Sequence, residues 1–150
     1  MERGRLSQPF LYLSDYIEAQ RDGYYDGLQR VRTHGDWNGW LRYFLTGVAE
    51  TARKAVRQAG QLMELRERLR KKLLKRPRAL ELVDELFKNP FVDVAGARKL
   101  LRVTTPTARK VIRELEKEGL LKEVTGRSWG RLYLARPILR AIEHPAGAEA

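Results

Sequence analysis

The apolar positions along residues 13–76 fall at intervals of three and four, the spacing that lines one face of a helix. Tyr16, Ile17, Tyr24, Leu28 and Val31 mark the apolar side of a first helical unit. Ser14 stands where an N-cap belongs, Asp15 and Glu18 place negative charge in the first turns, and a bend is expected near residues 21–23. His34-Gly35 closes this unit, and Asp36 caps a second helix. The apolar face of that helix runs from Trp37, Trp40, Leu41, Phe44 and Leu45 through Val48, Ala52 and Val56, with Gly60 a candidate interruption. The pattern resumes at Leu62, Leu65, Leu69 and Leu73. It must end by Arg76, because the following Pro77 disfavours a helical residue before it.

From residue 78 the elements become short and closely punctuated. Leu80, Val83, Leu86 and Phe87 define one helix, stopped by Asn89-Pro90, and Phe91 and Val92 form a short extended piece. Asp93 caps a second helix that buries Val94, Ala97 and either Leu100 or Leu101. After a tight turn at 103–106, Thr104 or Thr105 caps a third helix, with Pro106 tolerated in its first turn. This third helix buries Ala108, Val111, Ile112 and Leu115, and Gly119 ends it. Residues 120–125 and 131–135 read as two strands joined by a turn at 126–130, and Pro137 opens a final helix over 138–143. Three helices followed by a two-stranded ribbon is the order of a winged helix-turn-helix. The expected fold is mainly α. It has a helical region at 1–76, a winged helix-turn-helix with a two-stranded β-ribbon at 77–143, and a flexible tail at 144–150.

Composition narrows the chemistry. The 150 residues contain no cysteine and two histidines, His34 and His144, which removes disulfides, thiolate metal sites and cysteine nucleophiles together. Asp15, Asp22, Asp26 and Asp36 sit at helix starts, so no metal site is expected. Residues 1–76 offer neither a catalytic constellation nor a glycine-rich phosphate loop. No run of about 18 apolar residues occurs, so no membrane partner is expected. The N-terminus lacks an apolar signal stretch, and a cytoplasmic location is the expectation.

Charge adds a direction. The chain carries 30 Lys+Arg against 19 Asp+Glu, net +11. Residues 1–36 hold net −1, residues 37–90 net +7 and residues 91–150 net +5, which points a polyanion at the later part of the chain. There, Thr105, Thr107, Arg109, Lys110 and Arg113 occupy the face of the third helix opposite its core residues, and Arg127 and Arg131 lie in the turn that forms the wing. Arginine and lysine reach phosphates or the acceptor edge of guanine, and threonine hydroxyls reach either. These seven residues are the expected DNA contacts. Glu114, Glu116 and Glu118 lower the charge of the same helix, and winged helices also serve as protein–protein modules, so an interaction module competes. Trp129 reads as a packing residue of the ribbon in preference to a base-stacking one. The run 66–78, eight basic residues against Glu67, reads as a solvated helix face, with a phosphate-contacting stripe as the alternative. Tyr24, Tyr25, Trp37 and Trp40 read as core aromatics in preference to the wall of a ligand pocket.

Five stretches of the first half carry a family resemblance. They are Glu2-Arg3-Gly4-Arg5-Leu6-Ser7-Gln8-Pro9, Leu11-Tyr12-Leu13-Ser14-Asp15-Tyr16-Ile17-Glu18, Arg21-Asp22-Gly23-Tyr24-Tyr25-Asp26-Gly27-Leu28, Gly35-Asp36-Trp37-Asn38-Gly39-Trp40-Leu41 and Phe44-Leu45-Thr46-Gly47-Val48. Together they closely resemble the Fic family, over the part that follows its catalytic motif. Residues 91–143 resemble the C-terminal winged helix of some members, including Thr107-Ala108-Arg109 and Glu123-Val124-Thr125-Gly126-Arg127. The resemblance implies a bacterial protein adenylyltransferase, which moves AMP from ATP to a hydroxyl side chain, with ATP and Mg2+ implied for the full-length family. The family's signature, His-Pro-Phe-x-x-Gly-Asn-Gly-Arg-x-x-Arg, is absent, and His144-Pro145-Ala146-Gly147 shares only its first two residues. The implied identity is therefore the C-terminal part of such a protein, with no catalytic residue and no cofactor of its own. By the same resemblance, Tyr24 and Tyr25 border the nucleotide pocket.

The apolar face of residues 10–60 is expected to meet either the missing catalytic region or a second copy of the chain, unless the long helix folds back and covers it internally. The alternative function is a stand-alone winged-helix transcriptional regulator whose N-terminal helices dimerise or sense a ligand. A scaffolding module is the third.

Overall fold

The computed structural model describes residues 13–143. Its elements in chain order are α1 (Leu13–Ala19), α2 (Arg21–His34), α3 (Trp37–Leu73), α4 (Pro77–Leu86), β1 (Phe91–Asp93), α5 (Val94–Leu101), α6 (Thr105–Lys117), β2 (Lys122–Glu123), β3 (Leu132–Leu134) and α7 (Arg136–Glu143). The fold is mainly helical with one small antiparallel sheet, and no helix among the described residues is long and apolar enough to cross a membrane. The chain divides into two compact units, residues 1–57 and 58–150, and α3 contributes to both.

The first unit comprises α1, α2 and the leading turns of α3. Ser14 lies inside α1 and does not cap it, and the break before α2 falls at Gln20, just ahead of the expected bend. Asp36 does cap α3, its carboxylate accepting the Gly39 N–H at 2.9 Å. Small residues let the helices close on aromatic rings. Gly23 faces Tyr43, Gly27 faces Trp40, and a Cβ on Gly47 would fall 2.5 Å from the Tyr16 ring. The rings form a connected cluster, with centroids 5.5 Å apart for Tyr16 and Tyr43, 5.4 Å for Tyr24 and Trp40, and 5.8 Å for Trp40 and Tyr43. Among its described residues, Gly27, Gly47 and Thr51 are buried, and no large apolar side chain is.

The second unit has a true core. Leu69 and Leu73 of α3 are buried in it with Leu82, Val83 and Leu86 of α4, Leu101 of α5, Ile112 and Leu115 of α6 and Ile138 of α7. Leu62 and Leu65 pack against the same cluster. The compact unit thus starts at Gln58, not at Pro77, because the leucine stripe of α3 belongs to this core. Gly60 does not interrupt α3: a mid-helix glycine costs about 1 kcal/mol relative to alanine, too little to break a helix whose continuation is buried. Polar ties fix that continuation. Arg76 Nη1 donates to Glu118 Oε1, and Lys72 Nζ lies 3.1 Å from Oε2 at a poor hydrogen-bond angle. The Gln58 amide donates to the Ile142 carbonyl.

Helices α4, α5 and α6, then the ribbon, form the winged-helix order. Ala108, Val111, Ile112 and Leu115 are all buried, as the spacing requires, and of the two candidates in α5 Leu101 is the buried one. The expected two-stranded ribbon forms as β2 paired with β3, and β1 joins it to make a three-stranded sheet of order β1-β3-β2. The extended piece at Phe91 and Val92 pairs antiparallel with β3, Val92 opposite Tyr133. Strand β2 is shorter than its sequence suggests, because Leu120 and Leu121 are buried and their N–H groups close the end of α6 on the Leu115 carbonyl. The expected tail at 144–150 lies outside the described residues.

Candidate nucleic-acid interface

The interface grows from two local devices. At the start of α5, Asp93 is an extended N-cap residue whose carboxylate accepts the Gly96 N–H at 2.6 Å. Between α5 and α6, Arg102 takes a left-handed conformation (φ 51°) that turns the chain sharply. Thr104 then holds the N-cap position of α6, but its hydroxyl bonds to the Thr107 hydroxyl at 3.0 Å and not to the backbone.

Strand pairing supplies the third side. Because β1 runs directly into α5 and pairs with β3, the strand leaving the wing is carried beside the start of α5. The result is an open groove of about 750 Å³. Its walls are Asp93, Val94, Ala95 and Arg98 from the β1–α5 corner, Thr105, Arg109, Arg113 and Glu116 from α6, and Ser128, Trp129, Gly130, Arg131 and Tyr133 from the wing side.

Of the seven residues expected to meet DNA, the groove brings together Thr105, Arg109, Arg113 and Arg131. Thr107, Lys110 and Arg127 do not line it. Thr107 is half-buried against Thr104, Lys110 is exposed elsewhere on α6, and Arg127 is exposed on the wing with its carbonyl accepting Arg131 Nε at 2.9 Å. Arg98 was not singled out by sequence. It sits on the exposed side of a short helix and resembles any solvated arginine until the β1–β3 pairing brings the wing beside it. Trp129 corrects its expectation: it is 82% exposed at the wing tip and packs into no ribbon core.

The electrostatics of the groove are one-sided. Arg98, Arg109, Arg113 and Arg131 face Asp93 and Glu116, and the Asp93 carboxylate is already engaged in its cap. Among the described residues none of these four guanidinium groups is in an ion pair. The basic run at 66–78 differs. Arg66 pairs with Asp84 at 2.9 Å, Arg70 lies 3.9 Å from Glu67, and Lys72 and Arg76 converge on Glu118.

The wing is braced from within. The Glu123 carboxylate accepts the Thr125 N–H at 2.8 Å, the Thr125 hydroxyl and the Gly126 N–H at 3.0 Å. These bonds, the Thr125 hydroxyl's first, hold Glu123 below the usual carboxylate range, and Arg131 adds to the effect. Gly126 and Gly130 each take φ +63°, a conformation that favours glycine, and bracket the tip.

In the first unit, Tyr24 is half-buried against Trp40, and Tyr25 stands exposed, edge-on to Tyr24, with the Arg21 guanidinium 5.8 Å from its ring centre. Trp37, expected in the core, is 62% exposed. His34 is exposed, its Nδ1 2.7 Å from the Thr33 hydroxyl. Among the described residues no group of three His, Cys, Asp or Glu side chains could hold a metal ion. No known protein-family model matches the chain.

Proposed function

We propose that the second unit binds duplex DNA, with α6 entering the major groove and the 126–131 turn acting as the wing. One observation carries the reading: four arginines with no ion-pair partner among the described residues converge on a groove between the exposed face of α6 and the wing. Unpaired guanidinium groups held together repel one another, and a polyanion relieves that repulsion. Arg109 and Arg113, one turn apart on α6, have the forked donors that match the O6 and N7 acceptors of guanine. Arg127, Arg131 and Lys110 serve the backbone, where contacts fix position without reading sequence.

Gel-shift titration of the full chain at several salt concentrations tests this. Each phosphate contact contributes about −0.9 to the slope of log affinity against log salt. Arg109→Ala is expected to cost about 1–3 kcal/mol and to relax preference at one base position. Arg127→Ala is expected to weaken all sequences alike. If neither substitution changes affinity for any duplex, the unit is a protein-interaction module.

For the whole chain, we propose the C-terminal part of a Fic-type protein. The support is the sequence resemblance across both halves, with Tyr24 and Tyr25 as the border of a nucleotide pocket completed elsewhere. The chain contains no copy of the signature that supplies the general base and the anion-binding loop. Alone, with labelled ATP and a lysate, it is therefore expected to label nothing; labelling that survives removal of contaminating enzymes overturns this.

A specific observation favours the second reading, a stand-alone regulator. Trp37, Leu41 and Leu45 are exposed on α3. A two-fold dimer through that face would present paired winged helices to a palindromic site. Sedimentation at micromolar concentration tests the dimer: a monomer opposes the regulator, whereas a dimer is expected both of the regulator and of an apolar face orphaned from a missing catalytic region.

A further inference from the structure

Among the described residues Trp129 is the most exposed of the large apolar side chains, at 82%. It stands on a loop that is held in place. Glu123 gathers the N–H groups of Thr125 and Gly126, Arg131 Nε donates back to the Arg127 carbonyl, and two left-handed glycines bracket the tip. Around it lies the arginine-lined groove, with Arg131 beside it on the wing and Arg109 across on α6. An indole presented by a braced basic loop has a flat apolar face for stacking and one N–H donor, and its loop loses little freedom on binding.

We infer that Trp129 is a wedge: it enters the minor groove and inserts between two base pairs of the duplex lying against α6, so that the unit prefers a flexible pyrimidine–purine step beneath the wing. The inference rests on the duplex-DNA reading above and adds a contact, a deformation and a sequence preference to it. Apolar side chains inserted in this way unstack one step and kink the duplex. Pyrimidine–purine steps yield most easily, so the preference arises from the cost of deforming the DNA, with no base edge read. Arg127 and Arg131, beside it on the wing, would hold the wing against the flanking phosphates while the indole inserts.

Two polymers of identical composition supply the test. Alternating poly(dA-dT) carries a TA step at every second position, whereas poly(dA)·poly(dT) carries none. The full chain is expected to bind the alternating polymer about tenfold more tightly. Trp129→Ala is expected to bind both about equally, to keep the wild-type salt slope and to melt at the wild-type temperature, since the side chain is exposed. Trp129→Phe retains a ring and is expected to keep most of the preference. A wild type without preference, or a Trp129→Ala chain that keeps it, overturns the wedge while leaving DNA binding intact. Oligo(dT) bound as tightly as the alternating duplex also overturns it, in favour of stacking on single strands. If the wild type binds none of the three at low salt, the duplex-DNA reading itself fails.

Discussion

The two units of this chain use their apolar residues in opposite ways. The second buries leucines, valines and isoleucines from α3, α4, α5, α6 and α7 into one cluster and ties its edges with the Glu118 ion pairs. Among its described residues the first buries two glycines and one threonine, holds its helices through half-buried rings, and leaves Trp37 and Leu45 more than 60% exposed. Aromatic side chains are therefore no guide to where the stable core lies. The tryptophans fall in the less buried unit and at the wing tip, while the core is mostly aliphatic, with Tyr133 buried in it and Phe87 packed against it. A unit with a closed core can carry a site on its surface without exposing that core.

The sharpest way to break this comparison is to cut a side chain of equal standing from each unit. Leu73→Ala removes a residue with no exposed surface and is expected to destabilise the second unit by about 2–5 kcal/mol in denaturant unfolding. That loss would also establish that the end of α3 is core of the second unit. Next in size, Glu118→Gln weakens the tie from α6 to Lys72 and Arg76 and is expected to cost about 1–2 kcal/mol. Its pH dependence follows from the hydrogen bond of Arg76, helped by Lys72, which holds the Glu118 carboxyl below its usual range. A depressed carboxylate stabilises fully above its ordinary pKa, and that contribution is lost as pH falls through the lowered value. Glu123 acts in the same direction, so acid is expected to loosen the second unit, and Glu118→Gln to flatten the acid limb of its stability curve.

Smaller again, Gly60→Ala places a methyl group where no other atom lies within 4 Å and is expected to stabilise the chain by about 0.5–1 kcal/mol in thermal unfolding. Smallest of all, Trp37→Ala, for all its size, is expected to change stability by less than about 0.5 kcal/mol. A large loss there would mean that the first unit has a core after all, and the contrast would fail.

Legibility in the sequence tracked how local the determining forces are. The buried stripe of α6 and the caps at Asp36 and Asp93 depend on neighbours within a turn, and spacing alone located them. What escaped depended on distant partners. The extended piece at Phe91 and Val92 is legible, but its pairing is not: β3, some forty residues later, supplies its hydrogen bonds, and that same pairing brings Arg98 into the groove. Sequence reads Trp129 as a packing residue, since tryptophan is highly buried on average; its exposure follows from the Glu123 and glycine geometry of the wing, which periodicity does not register. The four sequence-expected residues that line the groove share one property: each projects from an element whose buried face spacing already defines, or from the turn at its end.

Helix α3 is one unbroken hydrogen-bonded ladder across the boundary at Arg57, yet the side chains that protect it change ownership there. Backbone amides report that change directly. On the near side, opening needs only the loss of half-buried ring contacts; beyond Leu62, it needs the collapse of the aliphatic cluster. Deuterium uptake along this single element should therefore divide into a fast and a slow block meeting near Gly60, each block reporting the opening of its own unit.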